Sequence, residues 1–257
     1  MRIAVVTGAS AGLGAEFARQ LDREDNVDRL WLIARRGERL ADTAAALTKP
    51  CDIVVLDLLS DAAADRLAAK LQPDDTVTWL INNAGMGILG PFSEQSASDL
   101  RQQIRLNDEV PIVLTNRFDR HFAAGSRIVN VASVAGFAPQ PGFAVYAASK
   151  AMLIAWSRAL GEEYRGRGIG VTVCCPNPME TEFFRASERR GQKPSRLKRI
   201  GVETPARVVR AAVAGAKKGK PVSVTHPLAK AIRLAAKLLP VSVLFWFMRL
   251  SGIAKSD

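Results

Sequence analysis

Two side chains near the middle of the chain, Tyr146 and Lys150, stand four residues apart in the run Tyr-Ala-Ala-Ser-Lys. If residues 144–165 form a helix, this spacing puts the phenol and the ammonium on one face, with Cβ atoms about 5 to 6 Å apart. A phenol with its ordinary pKa of about 10 is a poor base near neutrality, but a neighbouring cation favours the phenolate and lowers that pKa. The pair is therefore a candidate for proton transfer. A core tyrosine beside a solvated lysine would give the same pattern, so the surrounding motifs must decide.

A glycine-rich turn near the N-terminus is the second feature. Residues 2–7 are apolar and rich in β-branched side chains, which predicts a buried strand. Residues 13–21 repeat apolar side chains at helical spacing. Gly8, Gly12 and Gly14 lie at the junction, where a helix N-terminus offers free N–H groups and missing Cβ atoms let a diphosphate approach. The turn is a candidate dinucleotide site, although glycines also simply permit tight turns.

Taken together, four motifs resemble the short-chain dehydrogenase/reductase family in order and spacing. They are TGxxxGxG at residues 7–14, Asn-Asn-Ala-Gly at residues 82–85, Ser133 after an apolar run, and the Tyr146 to Lys150 pair. The resemblance extends from about residue 2 to about residue 224. It implies a catalytic set made of Asn107, Ser133, Tyr146 and Lys150.

The same resemblance implies which residues bind a nicotinamide dinucleotide. They lie in the glycine-rich turn, after the second, third and fourth predicted strands, in the catalytic helix, and after the sixth strand: Gly8, Ser10, Gly12, Leu13, Gly14, Arg35, Arg36, Asp57, Leu58, Asn83, Ala84, Gly85, Tyr146, Lys150, Pro176 and Thr181. Asn177 replaces the glycine of the family's usual Pro-Gly-Pro. Because asparagine tolerates positive φ better than most residues, we expect that turn to survive.

Charge after the second predicted strand favours NADP(H) over NAD(H). An NAD site typically offers a carboxylate to the ribose 2′-hydroxyl, whereas an NADP site has an arginine for the 2′-phosphate. No carboxylate stands at the end of that strand, which is followed directly by Arg35 and Arg36. We expect Arg35 to bind the phosphate, with Arg36 as second choice and Ser10 as a further donor, unless both arginines merely begin a solvated helix. Asp57 stands where the resemblance implies a carboxylate near the adenine amino group.

The whole chain favours an α/β architecture. It has 257 residues and 48% hydrophobic content, enough for one large domain with its own core. Apolar strand candidates at residues 30–34, 53–56, 77–81, 128–131, 170–175 and 221–225 alternate with helical stretches. This alternation predicts a single-domain, Rossmann-like, doubly wound parallel sheet with helices on both faces. The ligand should lie at the carboxyl ends of the strands.

We expect a dinucleotide-binding and catalytic domain over residues 1–227, with a substrate lid at about residues 180–203. Residues 228–257 would form a C-terminal amphipathic and apolar extension. Because the first strand begins within three residues of Met1, the sequence shows no secretory signal, and we expect a cytoplasmic protein.

Cysteine and metal chemistry are not expected. The chain has three cysteines, and Cys174 and Cys175 are neighbours in a predicted strand, where alternation points them to opposite faces. No motif supports His121 or His226 as a partner for a catalytic thiol or as a zinc ligand.

The resemblance implies hydride transfer between the nicotinamide C4 and the carbon of a ketone or secondary alcohol. Tyr146 would be the general acid in reduction and the base in oxidation. Lys150 would lower the pKa of Tyr146 and hold the nicotinamide ribose, while Ser133 would bind the substrate oxygen as its negative charge develops. Asn107 would hold a water behind the lysine.

The residues expected around the substrate are apolar. The segments 86–92, 137–143 and 179–184 are rich in Met, Ile, Leu, Phe and Pro, which favours a steroid, lipid or aromatic ketone, although many of these side chains would also suit an ordinary core. Two alternatives are a reductase of an acyl thioester and a non-catalytic NADP-binding scaffold. The intact catalytic set argues against the scaffold.

Basic charge is concentrated in the last third of the chain. Residues 1–184 carry a net charge of −3, whereas residues 185–257 hold 17 basic and three acidic residues and carry +14. This charge would attract a large anion such as a membrane surface, a carrier protein or a coenzyme A thioester. We do not expect nucleic-acid binding, since no aromatic-interleaved groove or reading module accompanies the charge.

The C-terminal extension combines basic and apolar faces. On a helical wheel, Lys230, Arg233 and Lys237 share one side, and mostly apolar residues cover the other. The run at residues 241–250 is too short to span a bilayer, which needs about 20 apolar residues. The extension could lie on an anionic membrane surface, cap the substrate pocket, or contact another subunit of an expected homo-oligomer, a dimer or tetramer.

Overall fold

The structure is a computed structural model that describes residues 1–179 and 202–250. Its centre is a parallel sheet in the order β3-β2-β1-β4-β5-β6-β7. The strands are β1 Arg2–Thr7, β2 Arg29–Ala34, β3 Cys51–Val55, β4 Thr76–Asn82, β5 Arg127–Val131, β6 Gly170–Cys174 and β7 Val222–Ser223. The predicted doubly wound parallel sheet is confirmed. Its last strand is shorter than predicted, with two residues instead of five.

Helices follow the strands and cover both faces of the sheet. They are α1 Gly12–Leu21, α2 Gly37–Ala45, α3 Ala63–Ala68, α4 Ala97–Ile104, α5 Val110–Arg117, α6 Ala144–Glu163, α7 Pro205–Lys217, α8 Pro227–Leu238 and α9 Val241–Leu250. A π-helical turn, Arg105–Glu109, joins α4 to α5. No described helix is both long and apolar enough to cross a membrane.

Strand alternation divides the core into two layers. Ala4 and Val6 of β1 join the layer beneath α1 and α7, whereas Ile3 and Val5 join the layer on the opposite face. The strand order reverses between β1 and β4, because β2 lies on one side of β1 and β4 on the other. Segments that follow β1 and β4 therefore flank the crevice where such sheets bind ligands.

Candidate active site

Tyr146 and Lys150 lie on the first two turns of α6, and both side chains are buried. Their spacing of four puts them on one face of the helix, and the Lys150 Nζ lies 5.7 Å from the centroid of the Tyr146 ring. The ammonium donates a 2.9 Å hydrogen bond to the carbonyl of Val131 at the end of β5. This bond fixes the lysine at the carboxyl edge of the sheet.

Ser133 lies beside the phenol, two residues beyond the end of β5. Its hydroxyl forms a hydrogen bond with Tyr146, and its Oγ accepts from the backbone N–H of Ala135 at 3.1 Å. Burial raises the pKa of Tyr146 to about 12, and the hydrogen bond with Ser133 acts in the opposite direction. The expectation that Lys150 brings this pKa towards neutrality is not met here, because desolvation disfavours the phenolate more than its neighbours favour it.

Asn107 lies in the π-helical turn behind Lys150, and its side-chain amide forms hydrogen bonds with Met86 and Ser149. Its Oδ1 accepts from the N–H of Met86 at 2.9 Å, and its Nδ2 donates to the Met86 carbonyl at 2.8 Å and to Ser149 Oγ at 3.0 Å. Both amide hydrogens are used, so the side chain positions the segment after β4.

Ser149 was not singled out from the sequence, although it connects two members of the catalytic set. Its Oγ donates to the carbonyl of Tyr146 at 2.8 Å while accepting from Asn107. Its position beside Lys150, on the buried face of α6, was the only available signal.

A chain of buried polar side chains, which we call the polar ladder, lies beneath the site, and only its first member, Asn82, belongs to a motif identified in the sequence. Asn82 Nδ2 donates to Asn130 Oδ1 at 2.8 Å, and Asn130 Nδ2 donates to Ser157 Oγ at 2.8 Å. The ladder ties β4 and β5 to α6, the helix that carries Tyr146. Asparagines inside two otherwise apolar runs were the signal that could have found it.

The glycine-rich turn after β1 has the close contacts that require glycine. Gly8 and Gly12 have φ angles of 66° and 57°, and a Cβ at Gly14 would lie 2.1 Å from the Gly8 carbonyl oxygen. Asn83 Nδ2 donates to the carbonyls of Thr7 at 2.9 Å and Gly8 at 3.2 Å. Asn83 therefore holds the turn against the segment after β4, which continues through Ala84 and Gly85.

The α1 N-terminus beside this turn suits an anion. Ala11 is the residue before the helix, and its side chain cannot accept a hydrogen bond. The backbone N–H groups of the first turn of α1, which begins Gly12-Leu13, therefore have no side-chain cap from this position. Such a terminus attracts phosphate through its dipole and its donors. Together with the missing Cβ atoms, this donor set fits the diphosphate of a dinucleotide.

The expected 2′-phosphate residues lie next to the same turn. Arg35 and Arg36 are both exposed after β2, and Arg36 Nη2 donates to Ser10 Oγ at 3.2 Å. The structure thus brings Arg36 and Ser10 together. Asp57 is exposed after β3, where its Oδ1 accepts from the N–H of Leu59, while Leu58 is buried.

The turn after β6 differs from its expectation. Pro176 accepts from the N–H of Val134 at 3.1 Å, and the N–H of buried Asn177 donates to Glu203 Oε2 at 3.2 Å. No non-glycine residue in the described chain has a positive φ, so Asn177 needs no left-handed backbone. Thr181 and most of the expected lid, residues 180–201, lie outside the described residues.

Apolar side chains enclose the phenol. Phe143 stacks on Tyr146 with ring centroids 4.2 Å apart, and both belong to a small cluster with Ala135 and Leu89. A Cβ at Gly87 would lie 2.9 Å from both rings. The segments predicted to line the substrate, residues 86–92 and 137–143, thus contribute apolar surface that touches the Tyr146 phenol.

Comparison with known proteins agrees with this arrangement. Residues 2–192 match the family model described as short chain dehydrogenase. The uncharacterized oxidoreductase YbbO of Escherichia coli (strain K12) is 33% identical over 193 residues, which are 70% of this chain and 66% of that protein. The chain therefore spans about two thirds of that relative's length.

Two solved structures resemble the chain over its full length. A short-chain dehydrogenase from Sphingobium yanoikuyae in complex with NADPH is 28% identical with a TM-score of 0.78, covering 100% of this chain and 98% of that one. The bulky-bulky ketone specific alcohol dehydrogenase from Comamonas testosteroni is 26% identical with a TM-score of 0.75, covering 100% and 96%. The chain belongs to the short-chain dehydrogenase family of oxidoreductases.

Proposed function

We propose that this protein is an NADP(H)-dependent oxidoreductase that interconverts an apolar ketone and a secondary alcohol. The observation that carries the proposal is the position of Tyr146, which is hydrogen-bonded to Ser133, has Lys150 beside its ring, and stacks on Phe143. A proton donor, an oxyanion-binding hydroxyl and an apolar wall thus meet at one point of the sheet edge.

In this proposal the chain's residues control the proton at the substrate oxygen. Ser133 and Tyr146 bind the carbonyl oxygen, and Tyr146 donates its phenolic proton as negative charge develops there. Lys150 stabilises the resulting phenolate by its charge. The bound cofactor supplies the hydride. In the oxidative direction Tyr146 takes the proton back from the alcohol.

The basic residues after β2 support NADP(H) as the cofactor. Arg35 and Arg36 are exposed beside Ser10, and no carboxylate ends β2, where an NAD site would use one. The Sphingobium relative was solved with NADPH, which agrees with this choice. We assign the 2′-phosphate to Arg35 and Arg36, the diphosphate to the turn at Gly12, and the adenine side of the cleft to Asp57.

The apolar surroundings of Tyr146 support a bulky, uncharged substrate. Phe143 and Leu89 present hydrocarbon near the phenol, and burying such surface is worth about 25 cal/mol per Å². A sugar would leave several hydroxyl groups without partners against this wall. The ketone-specific relative from Comamonas testosteroni is consistent with the proposal.

The test is a substrate panel with a cofactor comparison. Purified protein is incubated with NADPH or NADH and with a steroid ketone, an aromatic ketone or a 3-ketoacyl thioester, and loss of reduced-nicotinamide absorbance is followed. We expect turnover of the ketones with NADPH and much less with NADH. Turnover of the thioester alone would make the protein an acyl-thioester reductase. NADPH binding without any turnover would make it a scaffold.

We also propose that residues 228–257 form an extension outside the catalytic domain of residues 1–227, and that it contacts an anionic membrane surface. The α8 helix exposes Lys230 and Lys237, and the following α9 exposes Trp246 and Phe247 at 55% and 53% of their surfaces. Basic side chains and aromatic groups are the two components that surface binding needs. A subunit contact within a homo-oligomer is the outcome that would replace this proposal.

A further inference from the structure

Asp108 is a buried carboxyl group for which the proposed reaction has no role. Its side chain lies in the π-helical turn directly after Asn107 and is 2% exposed. Its Oδ1 is buried and has no hydrogen-bond partner among the described residues. A buried carboxylate oxygen without a hydrogen-bond partner lowers the free energy of unfolding, so a functional role for Asp108 is worth testing.

In the π-helical turn, the charged side chains at the two ends lie at the surface, whereas the polar side chains between them are buried. Arg105 and Glu109, at its two ends, pair with each other, and Arg105 also pairs with Asp61 at the surface. Asn107 and Asp108, between them, face the interior. A π-helical turn holds one more residue than an α-helical turn, and such turns occur frequently at functional sites.

Lys150 is the charged group that faces Asp108 from the neighbouring helix α6. The two side chains interact electrostatically, but they form no direct ion pair within the described chain. Lys150 also interacts electrostatically with Cys175, a buried thiol that follows β6. Lys150 is 4% exposed, and its ammonium donates to the Val131 carbonyl, which leaves two of its three hydrogens for other acceptors.

Burial brings the pKa values of Asp108 and Lys150 close together. It raises the pKa of Asp108 to about 7 against the opposing effect of Lys150. It lowers the pKa of Lys150 to about 8 against the opposing effect of Asp108. Two groups that interact in this way titrate as a pair.

We propose that Asp108 is a positioning residue that keeps Lys150 protonated: its buried carboxylate balances the charge of the ammonium, which in turn stabilises the phenolate of Tyr146. This inference rests on the proposed reduction of a ketone. Tyr146 gives its phenolic proton to the substrate oxygen, and the charged Lys150 then stands beside the phenolate. Asp108 acts on Lys150 through its charge and not by direct proton transfer, since its Oδ1 has no hydrogen-bond partner among the described residues. Without the carboxylate, burial would favour the neutral form of Lys150.

The test compares Asp108→Asn with Asp108→Glu and Glu109→Gln. Asparagine keeps the shape and removes the charge, glutamate restores the acid, and Glu109→Gln removes a charge from the same turn at the surface. We measure kcat for ketone reduction against pH, and NADPH affinity by fluorescence. For Asp108→Asn we expect the alkaline limb to move towards acid by about half a unit or more, a roughly threefold change in the ionisation constant. NADPH affinity should stay within about twofold, and Asp108→Glu should restore much of the profile.

A second readout does not depend on turnover. NMR of protein with isotopically labelled lysine side chains follows the titration of Lys150, whose signal is assigned by its loss in Lys150→Met. We expect the pKa of Lys150 to fall in Asp108→Asn and to be unchanged in Glu109→Gln. Unchanged Lys150 titration, or a pH profile that superimposes on that of wild type, would overturn the inference. If the wild-type protein reduced no ketone while Lys150 still responded to Asp108→Asn, the proposed reaction would fail and the coupling would stand.

Discussion

Asn107 binds both polar groups of the Met86 backbone, as a peptide group of a neighbouring strand would. Its Oδ1 accepts from the Met86 N–H at 2.9 Å, and its Nδ2 donates to the Met86 carbonyl at 2.8 Å. The amide also abuts Gly85, where an added Cβ would lie 3.0 Å from Asn107 Oδ1 and 3.5 Å from Lys150 Nζ. The segment after β4 is therefore held against Lys150 by the side chain of Asn107.

Asn107→Asp tests this contact. A carboxylate cannot donate, so the Met86 carbonyl and Ser149 Oγ lose their donor, and a charge is buried. We expect the free energy of unfolding to fall by about 1 to 3 kcal/mol or more, with a loss of kcat. Urea denaturation measures the first effect, and Asn116→Asp, exposed on α5, is the matched control. Equal stability of the two variants would show that the contact with Met86 is not important.

Tyr146→Phe should abolish ketone reduction and leave NADPH affinity within a few fold. The change removes the proton donor but almost no binding surface. The chain has two tyrosines, and Tyr164→Phe is the matched control because its hydroxyl bonds to Asp119 at the far end of α6. Tyr164→Phe should retain turnover. Substantial residual activity in Tyr146→Phe would assign the proton to another group.

Arg35→Ala should weaken NADPH binding much more than NADH binding. A charge-assisted contact with the 2′-phosphate is worth roughly 1.5 to 3 kcal/mol, or about 10- to 150-fold in affinity. Arg36→Ala should have a similar effect if Arg36 shares the phosphate, and Arg66→Ala, exposed on α3, should have none. Calorimetric titration with both cofactors gives the ratio. Equal losses for NADPH and NADH would assign the phosphate elsewhere.

The free energy of unfolding should fall in alkaline solution partly through Cys175. Burial raises the pKa of its thiol from 9.0 to about 12, although Arg233 and Lys150 act to lower it. Above pH 9.0 the unfolded chain releases this proton while the folded chain keeps it, so stability falls as pH rises to about 12. Cys175→Ala should therefore lose less stability on alkaline titration, by at most about 1.4 kcal/mol per pH unit.

Urea denaturation at about pH 8 and about pH 10 measures this difference. Cys51→Ala is the comparison: burial raises the pKa of this thiol as well, but Cys51 is only half-buried, so its removal should change the pH dependence less than removal of Cys175. Parallel pH dependence in wild type and Cys175→Ala would mean that the thiol ionises as readily in the folded chain as in the unfolded one.

The sheet could be predicted from sequence because each strand is marked by a local pattern of residues. Each apolar run lies between turn residues, and the alternation of strand and helix leaves few arrangements. The short β7 differs because Val222 and Ser223 pair only where β6 extends beside them, a condition that no local pattern reveals. Placement of the catalytic set depended on the family resemblance rather than on residue chemistry alone.

The role of Asp108 could not be predicted for a physical reason. In the run Leu-Asn-Asp-Glu, a charged residue at a helix junction is typical of solvated surface. The π-helical turn adds a residue and so changes which side chains face inward, and the 3.6-residue pattern does not contain that shift. The pKa of Tyr146 is a similar case, since the spacing of Lys150 predicts its neighbour but not the burial that opposes it.

The extension contains more exposed apolar surface than its sequence suggested. On the wheel, the side of α8 that bears Leu228 and Leu238 was a candidate for burial, yet both side chains are exposed. The start and middle of α8 pack against the domain: Ala229 is fully buried, and Arg233 lies 5.9 Å from the centroid of the Phe137 ring. Further along the helix, Leu234 and Leu238 remain 58% and 68% exposed.

If that surface binds lipid, the full-length protein should sediment with vesicles that contain phosphatidylserine and bind phosphatidylcholine vesicles less. Binding should weaken as salt rises, because each Lys or Arg near the surface contributes about 1 kcal/mol and is screened. The double variant Trp246→Ser, Phe247→Ser should lose binding at every salt concentration, and Lys230→Glu with Lys237→Glu should lose the preference for anionic lipid. Phe92→Ser is the control, since Phe92 is 63% exposed in a different part of the protein. If wild type ignores anionic vesicles at low salt while the aromatic variant alters the sedimentation velocity of the protein alone, the exposed face of α8 and α9 is a subunit contact.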